Sequence, residues 1–223
     1  MISVVVPVYN EEKLLETTLS RLTRQTGPHE LLCVDGGSGD GTASIANRFG
    51  KVLTSEKGRA AQMNRGAAEA RGEILFFLPA DAVLEEGALE AVEEAVRQGY
   101  DGGCLTQQIQ GRRLLFRTME LSGTLRARWF RIFYGDQAIF VKRRLFQELG
   151  GFPVSPLFED VAFTRRLHQV GRTVVLRHHV YTSARRWEQN GILKECFRNW
   201  GLLGLYALGV SPRRLARFYP DVR

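Results

Sequence analysis

The sequence predicts an α/β protein: a single domain built on an open, mixed and mainly parallel sheet with helices on both faces. Over the first 80 residues, short apolar runs rich in β-branched residues alternate with helical patterns, as in βαβ units. Residues 74–78 are apolar at every position and follow Gly72, which indicates a strand buried on both faces. A chain of 223 residues, 44% of them hydrophobic, is long enough to build a full-sized core.

The first half of the chain predicts four strands, at residues 2–8, 31–35, 52–53 and 74–78. Asn10 is expected to cap the first helix, whose leucines fall on one face at positions 14, 15, 19 and 22. Gly27 and Pro28 end that helix. A second helix is expected from Thr42, and a third, rich in alanine, over residues 59–71.

The pattern continues with a helix over residues 85–98 and a strand over 102–109, and it becomes less regular after residue 110. The further elements expected are helices at 113–133, 144–149, 158–170 and 191–208, and strands at 137–141 and 173–176. No internal repeat, low-complexity tract or linker is visible. We therefore expect one continuous domain with two functional halves, residues 1–110 and 111–223.

The charge is divided unevenly between these halves. Residues 1–110 carry 10 Lys and Arg against 16 Asp and Glu, whereas residues 111–223 carry 21 against 8, so the second half has a net charge of +13. This asymmetry indicates an anionic partner for the second half, with a solvated basic face as the alternative. Three distant cysteines and the absence of an export signal at the N-terminus favour a reducing, cytoplasmic location.

Three carboxylates occupy positions where a parallel sheet presents ligand-binding groups: Asp35, Asp81 and Asp160. The carboxyl ends of such strands are where ligands bind in open α/β sheets. Asp81 could hold a divalent cation or a sugar hydroxyl, or it could only cap a following helix. The loop at residues 36–41 is glycine-rich but matches neither GxGxxG nor a phosphate-binding loop ending in GK[ST], so it gives only weak support for a dinucleotide site.

Taken together, the motifs resemble family 2 glycosyltransferases. The resemblance rests on VPVYNE at residues 6–11, VDGGSGDGT at 34–42, the strand ending at Asp81, and GFP at 151–153 followed by FED at 158–160 and Phe163. It covers residues 2–187, and the motifs occur in the family's order. Pro79 departs from the family pattern because it stands where the first Asp of the Asp-x-Asp motif would be.

The resemblance implies a GT-A fold, which is Rossmann-like, and inverting transfer of a sugar from a nucleotide-sugar donor, with UDP as the expected nucleotide and Mg²⁺ or Mn²⁺ as cofactor. It implies that Asp160 is the catalytic base and that Asp81 binds the metal. The residues it assigns to the nucleotide sugar are Pro7, Tyr9, Glu11, Asp35, Lys57, Gly58, Arg59, Asn64, Arg185, Arg186 and Trp187.

The chemistry of the reaction agrees with these roles. Inversion needs one base to accept the proton of the acceptor hydroxyl while the diphosphate leaves from the opposite face. The negative charge that grows on the leaving group can be neutralised by a divalent cation and by arginines. A cation held by one or two carboxylates and by phosphate oxygens is common for Mg²⁺.

Several residues have structural alternatives. Glu159, expected to line the acceptor pocket, and Asp160 could merely begin a helix, and Arg185 and Arg186 could form a solvated pair. Adjacent histidines at 178 and 179 point to opposite faces of a strand, so at most one could join Asp81. Gly135, Asp136 and Gln137 could line the sugar or acceptor pocket or form a plain turn.

The second half interleaves cations with aromatic residues, at residues 126–134 and again at 200–217. We expect peripheral contact with an anionic membrane surface, on the inner face of the cell membrane, and a lipid-linked or otherwise apolar hydroxyl acceptor. The alternative is a C-terminal helix that packs on the domain or on a second subunit of a homodimer. A nucleic-acid partner is not expected, since no RNA-binding motif is present. The rival functions are a nucleotidyltransferase of similar fold and a non-catalytic nucleotide-sugar or membrane-binding module.

Overall fold

Eight strands form one mixed sheet in the computed structural model, which describes residues 1–111 and 113–219 without the side chains of Arg186 and Leu193. The strands are β1 (Ile2–Val8), β2 (His29–Asp35), β3 (Lys51–Thr54), β4 (Ile74–Phe77), β5 (Ala82–Leu84), β6 (Gly102–Ile109), β7 (Ile139–Lys142) and β8 (Thr173–Thr182). Their order across the sheet is β3-β2-β1-β4-β7-β6-β8-β5. The predicted mixed α/β sheet is confirmed.

The helices that the structure describes cover both faces of this sheet. They are α1 (Glu12–Leu22), α2 (Thr42–Asn47), α3 (Arg59–Glu69), α4 (Ala88–Arg97), α5 (Leu114–Phe130), α6 (Arg143–Glu148), α7 (Glu159–Val170), α8 (Arg185–Asn190), α9 (Ile192–Ala207) and α10 (Pro212–Leu215). Short 3-10 turns occur at Gly135–Gln137 and Ala216–Phe218.

The direction of the strands places six carboxyl ends at one edge of the sheet. Strands β3, β2, β1 and β4 run parallel to one another. Strand β7 is antiparallel to both β4 and β6, which therefore run in the same direction, and β6 is parallel to β8. The carboxyl ends of β1, β2, β3, β4, β6 and β8 consequently share one edge, called the catalytic edge below.

The core lies in two layers because alternate residues of a strand point to opposite faces. On one face, Val4 and Val6 of β1 pack with the leucines of α1 and with α4. On the other face, Val5 packs with Met63 and Ala67 of α3. Gly66 lets α3 approach the sheet, since a Cβ at this position would lie 2.4 Å from a methyl group of Val5.

An aromatic cluster in the second layer fixes the start of α7 against the sheet. Phe152 lies between Phe77 of β4, with ring centroids 4.9 Å apart, and Phe163 of α7, at 4.6 Å. Phe146 of α6 contacts all three rings. Tilted and edge-on aromatic pairs of this kind stabilise a core beyond the apolar area they bury. The cluster thereby sets the position of the first turn of α7, which carries Asp160.

The predicted helix cap at Asn10 is wrong. Asn10 has a positive φ of 52°, and Glu11 is the residue that precedes the first turn of α1, without a side-chain cap. The side chain of Asn10 instead accepts a hydrogen bond from the Gly39 N–H at 2.9 Å. Asparagine tolerates the left-handed conformation better than most residues, so here it links two loops rather than capping a helix.

The strand after Asp81 was not predicted, and it excludes the alternative that Asp81 only caps a following helix. Residues 82–84 form β5, and the predicted helix over 85–98 begins only at Ala88. Strand β8 also extends beyond the predicted residue 176 to Thr182. The second half of β8 pairs with β5 through Tyr181 and Thr182. The alternation of apolar and polar residues in the sequence does not indicate this pairing.

Candidate active site

The loops after β1 and β2 are joined by a network of hydrogen bonds at the catalytic edge. The carboxylate of Asp35, only 7% exposed, accepts hydrogen bonds from the Ser38 N–H and from the Ser38 hydroxyl, the latter at 2.5 Å. The N–H of Glu11 donates to the Thr42 hydroxyl at 2.7 Å. This network holds Asp35, predicted to contact the base or ribose, in a fixed position at the end of its strand.

Two pairs of predicted nucleotide-binding residues meet at this edge. The ammonium of Lys57 lies 4.2 Å from the centre of the Tyr9 ring, a cation–π contact. The guanidinium of Arg185 lies 3.0 Å from a carboxylate oxygen of Glu11, whose side chain is 8% exposed. Arg185 is therefore not the solvated residue considered as an alternative. The contact brings the start of α8 to the end of β1 across 174 residues of sequence.

Asp160 is held by two backbone donors in the first turn of α7. One carboxylate oxygen accepts the N–H of Gly135 and the other accepts the N–H of Val161, both at 2.7 Å. The 3-10 turn Gly135–Gln137 therefore does more than reverse the chain, because it fixes one oxygen of the predicted base. Glu159 and Asp160 also begin helix α7, which is the structural role considered above as an alternative. The start of α7 is therefore part of the candidate site.

Arg59 lies among the carboxylates of the site. Its guanidinium packs on Gly135, where an added Cβ would be 2.1 Å from the nearest nitrogen, and its Nε is 3.8 Å from Glu159. Burial acts to lower the pKa of Arg59, but the charges of Glu159, Asp160, Asp136 and Asp81 outweigh it and raise the pKa. Arg59 is thus a permanent cation that balances four acids, in addition to its predicted place on the nucleotide side.

Asp136 is the carboxyl group of this site whose ionised form is disfavoured. Burial raises the pKa of Asp136, the charges of Arg126 and Arg59 oppose this, and Asp160 adds to it. One oxygen accepts a hydrogen bond from Gln107 at 2.9 Å, and the other is buried without a partner among the described residues. The amide nitrogen of Gln137 is likewise buried, and no group in the described part of the chain accepts a hydrogen bond from it. A buried polar atom without a partner costs about 1–3 kcal/mol, so these two atoms are suited to a ligand hydroxyl.

Replacing Asp136 by Asn is expected to stabilise the fold more strongly as the pH rises above 3.8, the ordinary pKa of this side chain. Because the pKa is raised in the folded state, the native protein binds more protons than the unfolded chain above this value, and stability falls until the raised pKa is passed. Asparagine removes that loss, about 1.4 kcal/mol for each unit of pKa difference, and keeps an acceptor for Gln107.

Urea unfolding of both proteins from acidic to neutral pH measures the effect. A difference in unfolding free energy that stays constant with pH would contradict the raised pKa of Asp136. Asp101, whose pKa is lowered by Lys142 and by the Arg172 N–H despite its partial burial, serves as the control. Asp101→Asn should destabilise the protein increasingly from the lowered pKa up to the ordinary value of 3.8, and by a constant amount at higher pH.

Asp81 fits a divalent cation only together with a ligand. It is half-buried beyond the end of β4 and makes no hydrogen bond with any described residue. Within residues 1–111 and 113–219, no three His, Cys, Asp or Glu side chains are grouped so that they could hold a metal ion. His179 does not assist, since it is 2.9 Å from Glu85. Asp81 could therefore supply one carboxylate, and phosphate oxygens of a donor would have to supply further ligands.

The other predicted residues differ in what they contact. Asn64 binds the backbone of Phe152 twice, donating to its carbonyl at 2.8 Å and accepting its N–H at 2.9 Å. Trp187 packs in an apolar cluster with Phe116 and Ile192. The side chain of Arg186 lies outside the described part of the chain. Direct contact of these three residues with a nucleotide remains a prediction.

Sequence reasoning missed several polar residues that support the site. The buried amide of Gln62 donates to the carbonyls of Val8 and Val34 at 2.7 and 2.8 Å, and so joins the ends of β1 and β2. Arg126 donates to the Gln137 side chain at 2.9 Å. A lone Gln in an alanine-rich helix and an Arg in a basic helix give no signal of such roles before the fold is known.

Two solved structures share this fold. Residues 1–349 of S. aureus TarS, crystallised with UDP, match 82% of this chain and 60% of that one, at 22% identity and a TM-score of 0.67. The mannosyltransferase PcManGT from Pyrobaculum calidifontis, in complex with GDP-Man and Mn²⁺, matches 81% and 56%, at 26% identity and a TM-score of 0.65. The protein therefore has the GT-A fold of glycosyltransferases, as the sequence predicted.

The sequence comparison defines the family. The family model for glycosyl transferase family 2 matches residues 3–151, so the chain belongs to that family. The resemblance inferred from the motifs is confirmed. Asp160 and Arg185 lie beyond the matched range, and their place in the site rests on the contacts described above.

Curated relatives are similar at moderate identity. The probable glycosyltransferase YdaM of Bacillus subtilis (strain 168) is 26% identical over 219 residues, which cover 84% of this chain and 50% of YdaM. The glycosyltransferase AglE of Haloferax volcanii is 27% identical over 222 residues, covering 88% and 71%. The chain thus spans half of YdaM and a little over two thirds of AglE.

Proposed function

We propose that this protein transfers a sugar from a nucleotide-diphosphate sugar to a hydroxyl acceptor, with inversion at the sugar carbon and Asp160 as the general base. The observation that carries the proposal is the geometry of Asp160. Its carboxylate is oriented by two backbone N–H groups at 2.7 Å and lies beside the Arg59 guanidinium, at the edge where six strands end. A carboxylate fixed in this way can accept a proton without moving.

The donor is proposed to bind along the ends of β1 and β2. Tyr9, Lys57 and Asp35 would contact the base and ribose, since the aromatic ring, the ammonium and the carboxylate lie together there. Pro7, Glu11, Gly58, Asn64, Arg185, Arg186 and Trp187 complete the proposed donor site. Arg59 would face the diphosphate, whose negative charges it attracts as a permanent cation.

In the proposed reaction, the acceptor oxygen and the leaving diphosphate lie on opposite sides of the sugar carbon. Asp160 takes the proton of the acceptor hydroxyl, the oxygen attacks the anomeric carbon, and the bond to the diphosphate breaks. Arg59 stabilises the charge that develops on the leaving diphosphate. Glu159, Gly135, Asp136 and Gln137 would line the sugar or acceptor pocket, where the two unpartnered buried atoms can meet hydroxyl groups. A divalent cation, Mg²⁺ or Mn²⁺, held by Asp81 and the donor, would supply further positive charge.

A screen of nucleotide sugars by thermal shift, with and without Mn²⁺, tests the proposal and identifies the donor. A ligand that binds only the native state raises the midpoint by mass action. UDP-sugars are expected to give the largest shift, with GDP-mannose as the comparison because a similar structure binds it. Transfer or donor hydrolysis by the purified protein then separates an enzyme from a non-catalytic binding module. A nucleoside triphosphate as the best ligand would instead favour a nucleotidyltransferase.

Replacing Asp81 by Ala is expected to weaken UDP binding about tenfold or more in the presence of Mn²⁺, because the cation loses its protein carboxylate. Without metal, the two proteins should bind UDP with similar affinity. Titration calorimetry under both conditions measures the difference. Equal affinities in the presence of Mn²⁺ would remove Asp81 from the metal site.

The acceptor is proposed to be a hydroxyl on a lipid-linked or otherwise apolar molecule. A transferase of Aeromonas hydrophila whose name includes undecaprenyl-phosphate is 32% identical over 114 residues, which cover 45% of this chain. Residues 1–110 would bind the donor and residues 111–223 the acceptor. Action at the inner face of the cell membrane and assembly as a homodimer remain predictions of the sequence.

A further inference from the structure

Helix α5 carries a stripe of exposed apolar side chains that no described residue covers. Leu114, Leu121, Leu125 and Trp129 are 83%, 61%, 37% and 74% exposed. With Thr118 they follow spacings of four, three, four and four residues, which keeps them on one face of a helix with about 3.6 residues per turn. The opposite face of α5 is buried through Phe116 and Ala127. The stripe therefore points straight away from the core.

The stripe runs the length of the sheet. Helix α5 follows the carboxyl end of β6 and packs along that strand, so Leu114 lies near the catalytic edge and Trp129 near the opposite edge. Its 17 residues span about 25 Å at 1.5 Å per residue. Within the described residues no helix is long and apolar enough to cross a bilayer. A helix exposed in this way is suited to lie in a membrane interface.

A basic cavity adjoins the far end of the stripe. Its volume is about 480 Å³, and its lining includes Tyr100, Arg128, Arg131, His168 and Arg172. Arg131 donates to the carbonyl of Thr173 at 2.6 Å, and the Arg172 guanidinium lies 4.8 Å from the centre of the Tyr100 ring. The side chains of Arg128 and His168 make no hydrogen bond or ion pair with any described residue. Three arginines around one cavity offer a site for an anionic phosphate group.

The nearest acid does not neutralise this cavity. Asp101 accepts the backbone N–H of Arg172 at 2.9 Å, and its other oxygen lies 2.8 Å from the ammonium of Lys142. The acid on α5 itself, Glu120, is paired with Arg117 at 2.7 Å. The stripe and the cavity thus present apolar and positively charged surface side by side. Anionic membranes attract surfaces of this kind. A second copy of the chain, which also carries a net charge of +7, is disfavoured as the occupant.

We propose that the exposed face of α5 docks on an anionic membrane, with the stripe inserted at the headgroup level and the basic cavity occupied by a lipid phosphate headgroup. The docking would hold the catalytic edge, at the Leu114 end, beside the bilayer surface. The proposal goes beyond sugar transfer and does not depend on which donor the protein uses.

Flotation of the 223-residue protein with vesicles tests the proposal. We expect binding to vesicles of phosphatidylcholine and phosphatidylglycerol at low salt, at least tenfold weaker binding to phosphatidylcholine alone, and release at high salt. The double variant Leu121→Ser, Trp129→Ser should reduce the partition coefficient at least tenfold, because it removes apolar area that inserts. Arg128→Gln should reduce the preference for anionic vesicles but not the residual binding to neutral ones.

The controls keep the result specific to α5. Val154→Ser changes a residue that is 85% exposed on another element and should bind as the wild type does. Circular dichroism of every variant verifies the fold. A second arm measures inorganic phosphate binding by calorimetry: competition between phosphate and anionic vesicles, relieved in Arg128→Gln, supports the cavity as the headgroup site.

Three outcomes would overturn the proposal. The first is an absence of binding to anionic vesicles at low salt. The second is binding that survives the α5 double variant but is lost in Trp200→Ser, a residue 69% exposed on α9, since the docking helix would then be α9. The third is a dimer in light scattering that the α5 variant dissociates, because the stripe would then be the interface between two copies.

Discussion

Asp160→Asn is expected to abolish sugar transfer while leaving donor binding nearly unchanged. The amide preserves the shape of the side chain and can still accept the N–H of Gly135, but it cannot take a proton from the acceptor hydroxyl. Loss of a positioned general base costs about 10²–10⁴-fold in rate. Steady-state transfer assays, together with calorimetry of UDP binding, measure the two quantities separately.

The matched control is Asp101→Asn, at the opposite edge of the sheet. Asp101 also accepts a backbone N–H at 2.9 Å and is paired with a cation, so the substitution removes a comparable set of interactions without touching the catalytic edge. It should lower stability and leave turnover per folded molecule intact. Turnover in Asp160→Asn that matched the wild type would remove Asp160 from the role of base.

Arg59→Gln is expected to give the second large effect, a loss of about 100-fold in kcat, comparable with the removal of one transition-state donor in other enzymes. The leaving diphosphate loses the cation that would stabilise its developing charge, and the four acids around position 59 lose the positive charge that balances them. Arg59→Lys retains the charge and should restore much of the lost kcat. Steady-state transfer assays of the three proteins measure the difference, and a wild-type kcat in Arg59→Gln would remove Arg59 from this role.

Gly135→Ala tests the same contact without removing a charge. An added methyl group would lie 2.1 Å from a guanidinium nitrogen of Arg59, so the arginine must move away from the acids. Alanine itself is tolerated by the backbone, because Gly135 does not have a positive φ. The variant should lower kcat, as Arg59→Gln does, and steady-state transfer assays measure the loss.

Gly123→Ala is the control for that substitution. A Cβ at position 123, within α5, meets no atom within 4 Å, so this change should leave kcat unaltered. A Gly135→Ala enzyme with the wild-type kcat would mean that Arg59 can leave the acids without consequence for sugar transfer.

Local pattern was enough to predict most of the first half of the fold. Strand β1 was predicted with its observed bounds, and β2, β4 and β6 were predicted within two residues. The β-branched or apolar runs in β1, β2 and β4 can be recognised before the fold is known. Strand β5 has three residues and no period of its own, and it exists because β8 provides a partner. Likewise, β7 was expected as a strand, but its antiparallel insertion between β4 and β6 depends on contacts distant in sequence.

The site was predictable where a motif placed one residue at a strand end, as for Asp35 and Asp81. It was not predictable where the role comes from packing. Nothing around Arg59 in the sequence indicates that its guanidinium rests on a glycine 76 positions later, among four acids. The same holds for Gln62, whose function is to bridge two carbonyls that become neighbours only in the folded sheet.

The insertion of β7 has a consequence for any attempt to divide the protein. A fragment ending at residue 110 would retain β4 and β6 but lack the strand that lies between them, so both would present unpaired backbone edges. Such a fragment should aggregate instead of behaving as an isolated donor-binding module. During synthesis on the ribosome, β4 and β6 cannot be joined through β7 until residue 142 has emerged. The central pairing of the sheet therefore forms only after more than half of the chain has been made.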